Sequence, residues 1–446
     1  MKKSIIVLCA LLLCSGIARS QTIKYESSLA KAEKESIAQN KPLSILVTIQ
    51  PPAFVNNFLS GLQDEQVVKK FNENFVNFKI DRSDSASKEI ITKYKLQGFP
   101  VFVFVDSKGG LLYQRVGNLP PPMFSAMLDE AMERSKGKSL VEYDRQYASG
   151  NDSVAFLKEY INKRINAGIT SNADIIEKYV NNLAVRDLNN YNEVLFILKS
   201  GPLADGRAYT LVNTNRKMVD SVFKREMYDV RVAINNRIIE NTMASAIATK
   251  NMARAFAASA FTQRTWNSDF LQGQKSSSAR MLQYFSAIKD TTAYFRQAIQ
   301  HYDRFYMNIG VDSIRKLDRK IEDQARSNAN EQAALSRPPG AGIRSVSYAV
   351  PSSTTAADLN NGAYNIYMTG TRNQNTLSKA MLWSKRSIEL IPNAASYDTL
   401  AHILYRLGFH AEALTTQEKA IALAKEEKSD VKQLQDELLK IKNKTL

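Results

Sequence analysis

The sequence predicts an α/β domain at its amino-terminal end, followed by an all-α region that closes in helical hairpins. Short β-branched apolar runs alternate with helical segments up to about residue 136. Between residues 138 and 335 apolar side chains recur at spacings of three and four, as in Val154, Leu157, Ile161 and Ile165, with few Pro or Gly. Near the carboxyl end a pattern around Ala380 returns at Ala413, an offset of 33 residues.

Lys2 and Lys3 precede the apolar run Ile5 to Leu13, and Ala18, Arg19 and Ser20 lead into Gln21 with the small-x-small spacing of a processing site. This predicts a signal peptide over residues 1–20 and a periplasmic mature chain. An outer-membrane lipoprotein or an extracellular protein are the alternatives. Lipidation would use Cys14, but Leu13 stands where the processing enzyme prefers a small residue, so cleavage after Ser20 is expected. The apolar run is shorter than the roughly 20 residues of a spanning helix, and no transmembrane segment is expected.

Residues 24–40, rich in Ala, Lys and Glu, read as a helix, and Leu43 to Ile49 as a buried strand. A helix follows from Ala53 to Asn72, then a strand from Phe75 to Ile80, a helix from Ser85 to Tyr94 and a strand from Val101 to Val105. Lys108, Gly109 and Gly110 make a turn into a strand from Leu111 to Val116, and a last helix begins beyond Pro120, Pro121 and Pro122. The order is α-β-α-β-α-β-β-α. The helical region runs over 137–336, a linker with Arg337, Pro338, Pro339 and Gly340 over 337–356, and a last helical domain over 357–446.

Lys41-Pro42 before the first strand, the block Phe71 to Asp81, then Gly98, Phe99 and Pro100, and Val105-Asp106 ahead of Gly109 resemble the exported thioredoxin family over Tyr25 to Met132. The resemblance implies a thioredoxin-like domain over 21–136 in which Pro100 is the family's cis-proline. It places the family's Cys-x-x-Cys pair at Pro51, Pro52, Ala53 and Phe54, so both catalytic positions are lost. Trp383, Ile388, Leu390, Pro392, Tyr397, Leu400, Gly408, Ala413 and Ala420 resemble tetratricopeptide (TPR) hairpins, with Val431 to Lys442 as a polar-faced closing helix. The fold class is thus an α/β thioredoxin-like domain, then an all-α region with TPR-like hairpins.

The cysteines, Cys9 and Cys14, both lie in the segment expected to be removed, which excludes thiol redox chemistry in the mature chain. There is no glycine-rich phosphate loop, no G-x-S-x-G elbow and no H-E-x-x-H. His301, His402 and His410 match no metal-ligand spacing, and Asp81 with Asp84 reads as a solvated loop, so no metal, cofactor or catalytic residue is expected. The formal charge is +16, of which about +9 falls in residues 201–350. The aromatics Phe261, Trp266 and Phe270, and Tyr294, Phe295, Tyr302 and Phe305, read as core faces of amphipathic helices rather than as nucleic-acid stacking platforms.

What these patterns leave is recognition by a non-catalytic, chaperone-like envelope protein with a protein or peptide partner and no nucleic acid. Pro51, Pro52, Phe54, Phe99, Pro100 and Val101 would form an apolar lip where an extended peptide pairs by strand addition. Asp398, His402, Tyr405 and Arg406 would line the concave face of the TPR-like pair. A second reading has the basic helical region bind an anionic envelope polymer, lipopolysaccharide or glycan. A third, ranked last, places a hydrolase or transferase site in the helical region.

Overall fold

In a computed structural model of the 446-residue chain the described residues are 22–50, 58–96, 98–169, 171–335 and 350–446, with 327–335 described by their backbone alone. The chain forms two compact units, Met1–Arg237 and Ile238–Leu446.

The first unit opens with β1 (Tyr25–Glu26), α1 (Leu29–Gln39), β2 (Leu43–Thr48), α2 (Glu65–Asn74), β3 (Val76–Asp81), α3 (Ser87–Lys93), β4 (Val101–Val105), β5 (Leu111–Val116) and α4 (Pro121–Ser135). The strands form one mixed sheet in the order β1-β3-β2-β4-β5, with β1, β3 and β2 parallel and β4 antiparallel to both β2 and β5. All residues of β2 and of β4 are buried, which suits two adjacent central strands covered on both faces. Side chains alternate across β4, so Phe102 and Phe104 share one face. There they join Leu46 of β2, Val67 and Phe71 of α2, and Phe124 and Leu128 of α4. The Phe102 ring meets Phe124 edge-on at 5.2 Å, and Phe75 meets Phe104 at 5.2 Å.

Each expected strand from Leu43 onward is present, and the α/β order holds. The turn at Lys108–Gly110 is closed by Asp106, whose Oδ1 accepts from the amides of Lys108 (2.9 Å) and Gly110 (2.8 Å). Three local expectations are corrected. Tyr25 and Glu26 form an edge strand on β3, so the first helix begins only at Leu29, capped by Ser28. The helix expected over Ala53 to Asn72 is replaced, within the described residues, by a 3₁₀ turn at Ser60–Gln63 and by α2, because Asp64 accepts from the amides of Gln66 and Val67 and starts a new helix there. The helix expected beyond Pro122 begins inside the proline run, with Pro121 in the first helical position where no amide partner is required.

The rest of the first unit is helical: α5 (Leu140–Ala148), α6 (Val154–Asn166), α7 (Ala173–Asn182), α8 (Tyr191–Ser200), α9 (Arg207–Thr214), α10 (Arg216–Arg225) and the start of α11 (Tyr228–Thr249). The second unit continues α11 and adds α12 (Met252–Arg264), α13 (Phe270–Ala287), α14 (Thr291–Tyr302), a π-helical turn at Asp303–Met307, α15 (Val311–Leu335), α16 (Pro351–Met368), α17 (Gln374–Leu390), α18 (Ala394–Arg406), α19 (His410–Glu426) and α20 (Lys432–Lys442). Among the described residues no helix is long and apolar enough to cross a membrane.

Packing divides the chain at 237/238, whereas the sequence places its boundaries at 136, 336 and 356. One hydrophobic core in the second unit runs from Met243 and Ala246 of α11, through Tyr284 and Tyr302, to Leu359 of α16, Trp383 of α17 and Ile403 of α18. Helices α16, α17 and α18 therefore share a core with the helices before them, and Pro351 onward is helix rather than linker. Gly362 makes the closest approach. A Cβ there would lie 2.3 Å from Cζ of Tyr302, so α16 can lie against that ring only where the side chain is hydrogen.

Candidate peptide-binding site

Since β4 runs antiparallel to β2, its first residue Val101 pairs with Val47, and the Phe99–Pro100 loop shares one sheet edge with the ends of β2 and β3. The Arg82 amide donates to the Thr48 carbonyl at 2.8 Å, and Ser87 Oγ donates to the Arg82 carbonyl at 2.8 Å. The Arg82 backbone is thus fixed from both sides, and its guanidinium lies over the Phe99 ring, 4.7 Å from the centroid. Thr48, Ile49, Gln50, Phe58, Leu59 and Asp81 line a cleft at the same edge.

The Phe99–Pro100 bond is cis, as expected for Pro100. Gly98 precedes it with φ +85, and a Cβ there would lie 3.0 Å from Val116 Cγ1, so the position calls for glycine on both counts. The Gly117 amide donates to the Pro100 carbonyl at 2.9 Å. Among the described residues neither the amide nor the carbonyl of Phe99 takes part in a hydrogen bond, whereas Pro100 and Val101 after it are both paired. Phe99 is half-buried, Pro100 is buried, and Val101 is fully buried within β4. Val101 is therefore corrected from lip to core, because its position in the central strand turns its side chain inward. Pro51, Pro52 and Phe54 lie outside the described residues.

Asp81 and Asp84 act as turn caps. Asp81 Oδ1 accepts from the Ser83 hydroxyl (2.6 Å) and amide (2.8 Å), which holds its carboxyl below the usual carboxylate range, and Asp84 Oδ1 accepts from the Ala86 amide. Among the described residues no group of three or more His, Cys, Asp or Glu side chains could hold a metal ion.

The four residues expected on a concave face are brought together, but in a seam between helices. His402 is buried; its Nδ1 donates to the Asp398 carbonyl at 2.8 Å, and its Nε2 lies 3.4 Å from Glu437 of α20. Asp398 Oδ1 accepts from Gln417 of α19 at 2.7 Å. Arg406 donates to the Tyr367 carbonyl of α16 and stacks 3.6 Å over the Tyr367 ring, whose edge also meets His402. Tyr405 packs on His410 at 4.7 Å. Asp398, His402 and Arg406 have partners within the chain, and the open-face expectation is corrected because Tyr367 of α16 and Glu437 of α20 pack against His402 of α18.

A buried polar cluster that the sequence does not signal lies around the π-helical turn. Gln297 donates to Ser278 Oγ at 2.8 Å, which leaves the Ser278 proton for His301 Nδ1 at 3.0 Å. Burial, reinforced by Lys275, lowers the His301 pKa to about 4, so the ring is neutral. Lys275 lies over the Tyr306 ring at 4.1 Å, and Tyr306 donates to Asp358 at 2.8 Å. Asp358 stands 52 positions from Tyr306, a separation that only the helix packing closes.

The expected core aromatics divide as well. Phe261, Tyr294, Tyr302 and Phe305 are buried, and Phe295 is partly buried, whereas Trp266 and Phe270 are exposed.

No family model matches the chain, and no curated protein matches it. Among solved structures it is similar to one described as "DsbH Oxidoreductase", with 18% identity over 25% of this chain and 85% of that chain, and a TM-score of 0.21.

Proposed function

We propose that the protein is a non-catalytic, exported interaction protein of the cell envelope that holds an extended segment of a partner against the Phe99–Pro100 loop. The observation that carries this reading is the backbone of Phe99, which pairs with no described residue, at a sheet edge. An extended chain laid there gains main-chain hydrogen bonds, while Phe99 and the adjoining cleft receive alternate side chains. The strand order, with its parallel half and antiparallel hairpin, supports a thioredoxin-like domain. With no cysteine after Cys14, that domain binds without thiol exchange.

The paired helices α16-α17 and α18-α19, closed by α20, support TPR-like hairpins whose polar residues cement the second unit. The export reading rests on Lys2 to Ser20. Placing a photoreactive side chain at position 99 or at position 405 and irradiating the native envelope tests the assignment. Partner adducts from position 99 and none from position 405 are expected. The reverse pattern would move the binding site to the carboxyl-terminal helices.

A further inference from the structure

The turn between α12 and α13 carries three large apolar side chains that stand exposed. Phe270 is 68% exposed, Leu271 60% and Trp266 43%. Exposed apolar residues scattered singly are ordinary, but three within six positions form one patch. The backbone beneath them is fixed. The Trp266 amide donates to the Gln263 carbonyl, the Asp269 amide to the Trp266 carbonyl, and Asp269 Oδ1 caps α13 by accepting from Gln272 at 2.9 Å. Gly273 draws the two helices together, since a Cβ there would lie 2.9 Å from the Gln263 carbonyl oxygen and 3.2 Å from Trp266 Cβ. A turn held this way presents its side chains outward and has no slack to fold them back.

The surrounding charge is one-sided. Within about two helical turns of the tip the cations are Arg264 and Lys275, and the one carboxylate is Asp269, already used by the cap. Beside α13, Arg304 reaches Gln274 at 2.7 Å, and its neighbour Asp303 is neutralised by Lys379 at 2.5 Å. Arg264 stands at the tip itself, over the Phe261 ring.

We propose that the Trp266–Leu271 turn is a membrane-surface anchor that seats in an anionic bilayer. A projecting apolar turn with an indole at its edge matches the interfacial zone of a bilayer, where Trp is favoured and Phe and Leu reach the acyl boundary. The cationic excess matches anionic headgroups, and each nearby Lys or Arg adds to the attraction. A concave protein pocket would accept the same side chains but would give no reason for the charge.

The chain contains 2 tryptophans, and the other, Trp383, is fully buried with its indole N–H bonded to Asp303 at 3.1 Å, so a change of emission on binding reports Trp266. Full-length protein is titrated with vesicles of equal parts phosphatidylglycerol and phosphatidylcholine, and with phosphatidylcholine alone. Co-sedimentation with the anionic vesicles and a blue shift of Trp266 emission are expected, with binding roughly tenfold or more weaker to the neutral ones. Phe270→Ser with Leu271→Ser keeps the reporter and changes only exposed positions. It should lower vesicle affinity by roughly tenfold while far-ultraviolet circular dichroism stays unchanged. Failure to sediment would overturn the proposal. Sedimentation with unshifted emission and an undiminished double variant would also overturn it, as would a position-266 crosslink to a protein in a chain that ignores vesicles.

Discussion

The guanidinium of Arg82 lies 4.7 Å from the centre of the Phe99 ring, and this contact ties the end of β3 to the loop that opens β4. A cation above an aromatic face contributes about 0.5–1 kcal/mol where it is exposed. The contact also sets the ring's direction, and the Phe99 amide and carbonyl pair with no described residue.

Replacing Arg82 with Gln should therefore separate stability from binding. The denaturation midpoint is expected to move by no more than the equivalent of about 1 kcal/mol. Adducts from a photoreactive group at position 58, in the cleft beside the loop, should fall several-fold relative to an otherwise wild-type chain, because the loop loses its preset ring. Equal adduct yield from both chains would show that Arg82 has no part in the site.

Gly362→Ala places a methyl group 2.3 Å from the Tyr302 ring, so either that ring or α16 must shift. Overpacking of this kind costs about 1–3 kcal/mol. Urea denaturation should show the loss, whereas Ser353→Ala, an exposed position on the same helix, should be nearly neutral. Equal midpoints for the two variants would contradict the tight Gly362–Tyr302 contact.

Asp303 accepts from Trp383 Nε1 at 3.1 Å and from Lys379 Nζ at 2.5 Å, which joins the π-helical turn to α17. Asp303→Ala leaves the buried indole N–H without its partner, at a cost of about 1–3 kcal/mol. The same variant should change Trp383 emission. Loss of stability with unchanged emission would place the damage elsewhere.

His301 gives the second unit a pH dependence whose sign follows from its lowered pKa. Its pKa falls to about 4 in the folded chain, against about 6.5 for an unperturbed histidine, so the unfolded chain binds the extra proton between those values. The stabilising contribution is complete above about pH 6.5 and declines as pH falls toward 4, by about 3 kcal/mol in all. Lys275, the cation beside the ring, acts in the same direction, and Asp358 lies beyond it, bound by Tyr306. His301→Phe should flatten the stability profile across that window relative to wild type. Parallel profiles would show that His301 does not titrate as its burial requires.

The sheet was largely legible because β2 and β4 are short β-branched or aromatic runs buried along their whole length. Edge strand β1 was not, because two residues beside a Lys- and Glu-rich helix carry no periodicity and pair only once β3 is in place. The Phe99–Pro100 loop was placed by its flanking Gly98 and Val101, but the Arg82 contact depends on how β3 ends. His402 and Arg406 are expected on one face, and both meet Tyr367; what a repeat pattern does not show is that Tyr367 of α16 and Glu437 of α20 occupy that face. Trp266 and Phe270 are expected among the core faces of amphipathic helices. Asp269 starts a new helix between α12 and α13, which resets the phase and turns both outward.

The central claim is that a partner pairs with the backbone of Phe99, and amide hydrogen exchange at that residue tests it most directly. The full chain is measured alone and with a peptide covering the segment crosslinked at position 99. The Phe99 amide, unpaired among the described residues, should exchange about tenfold or more slowly in the complex, while the Arg82 amide, already bonded to Thr48, should change little. Unchanged exchange at Phe99 in a saturated complex would contradict the account.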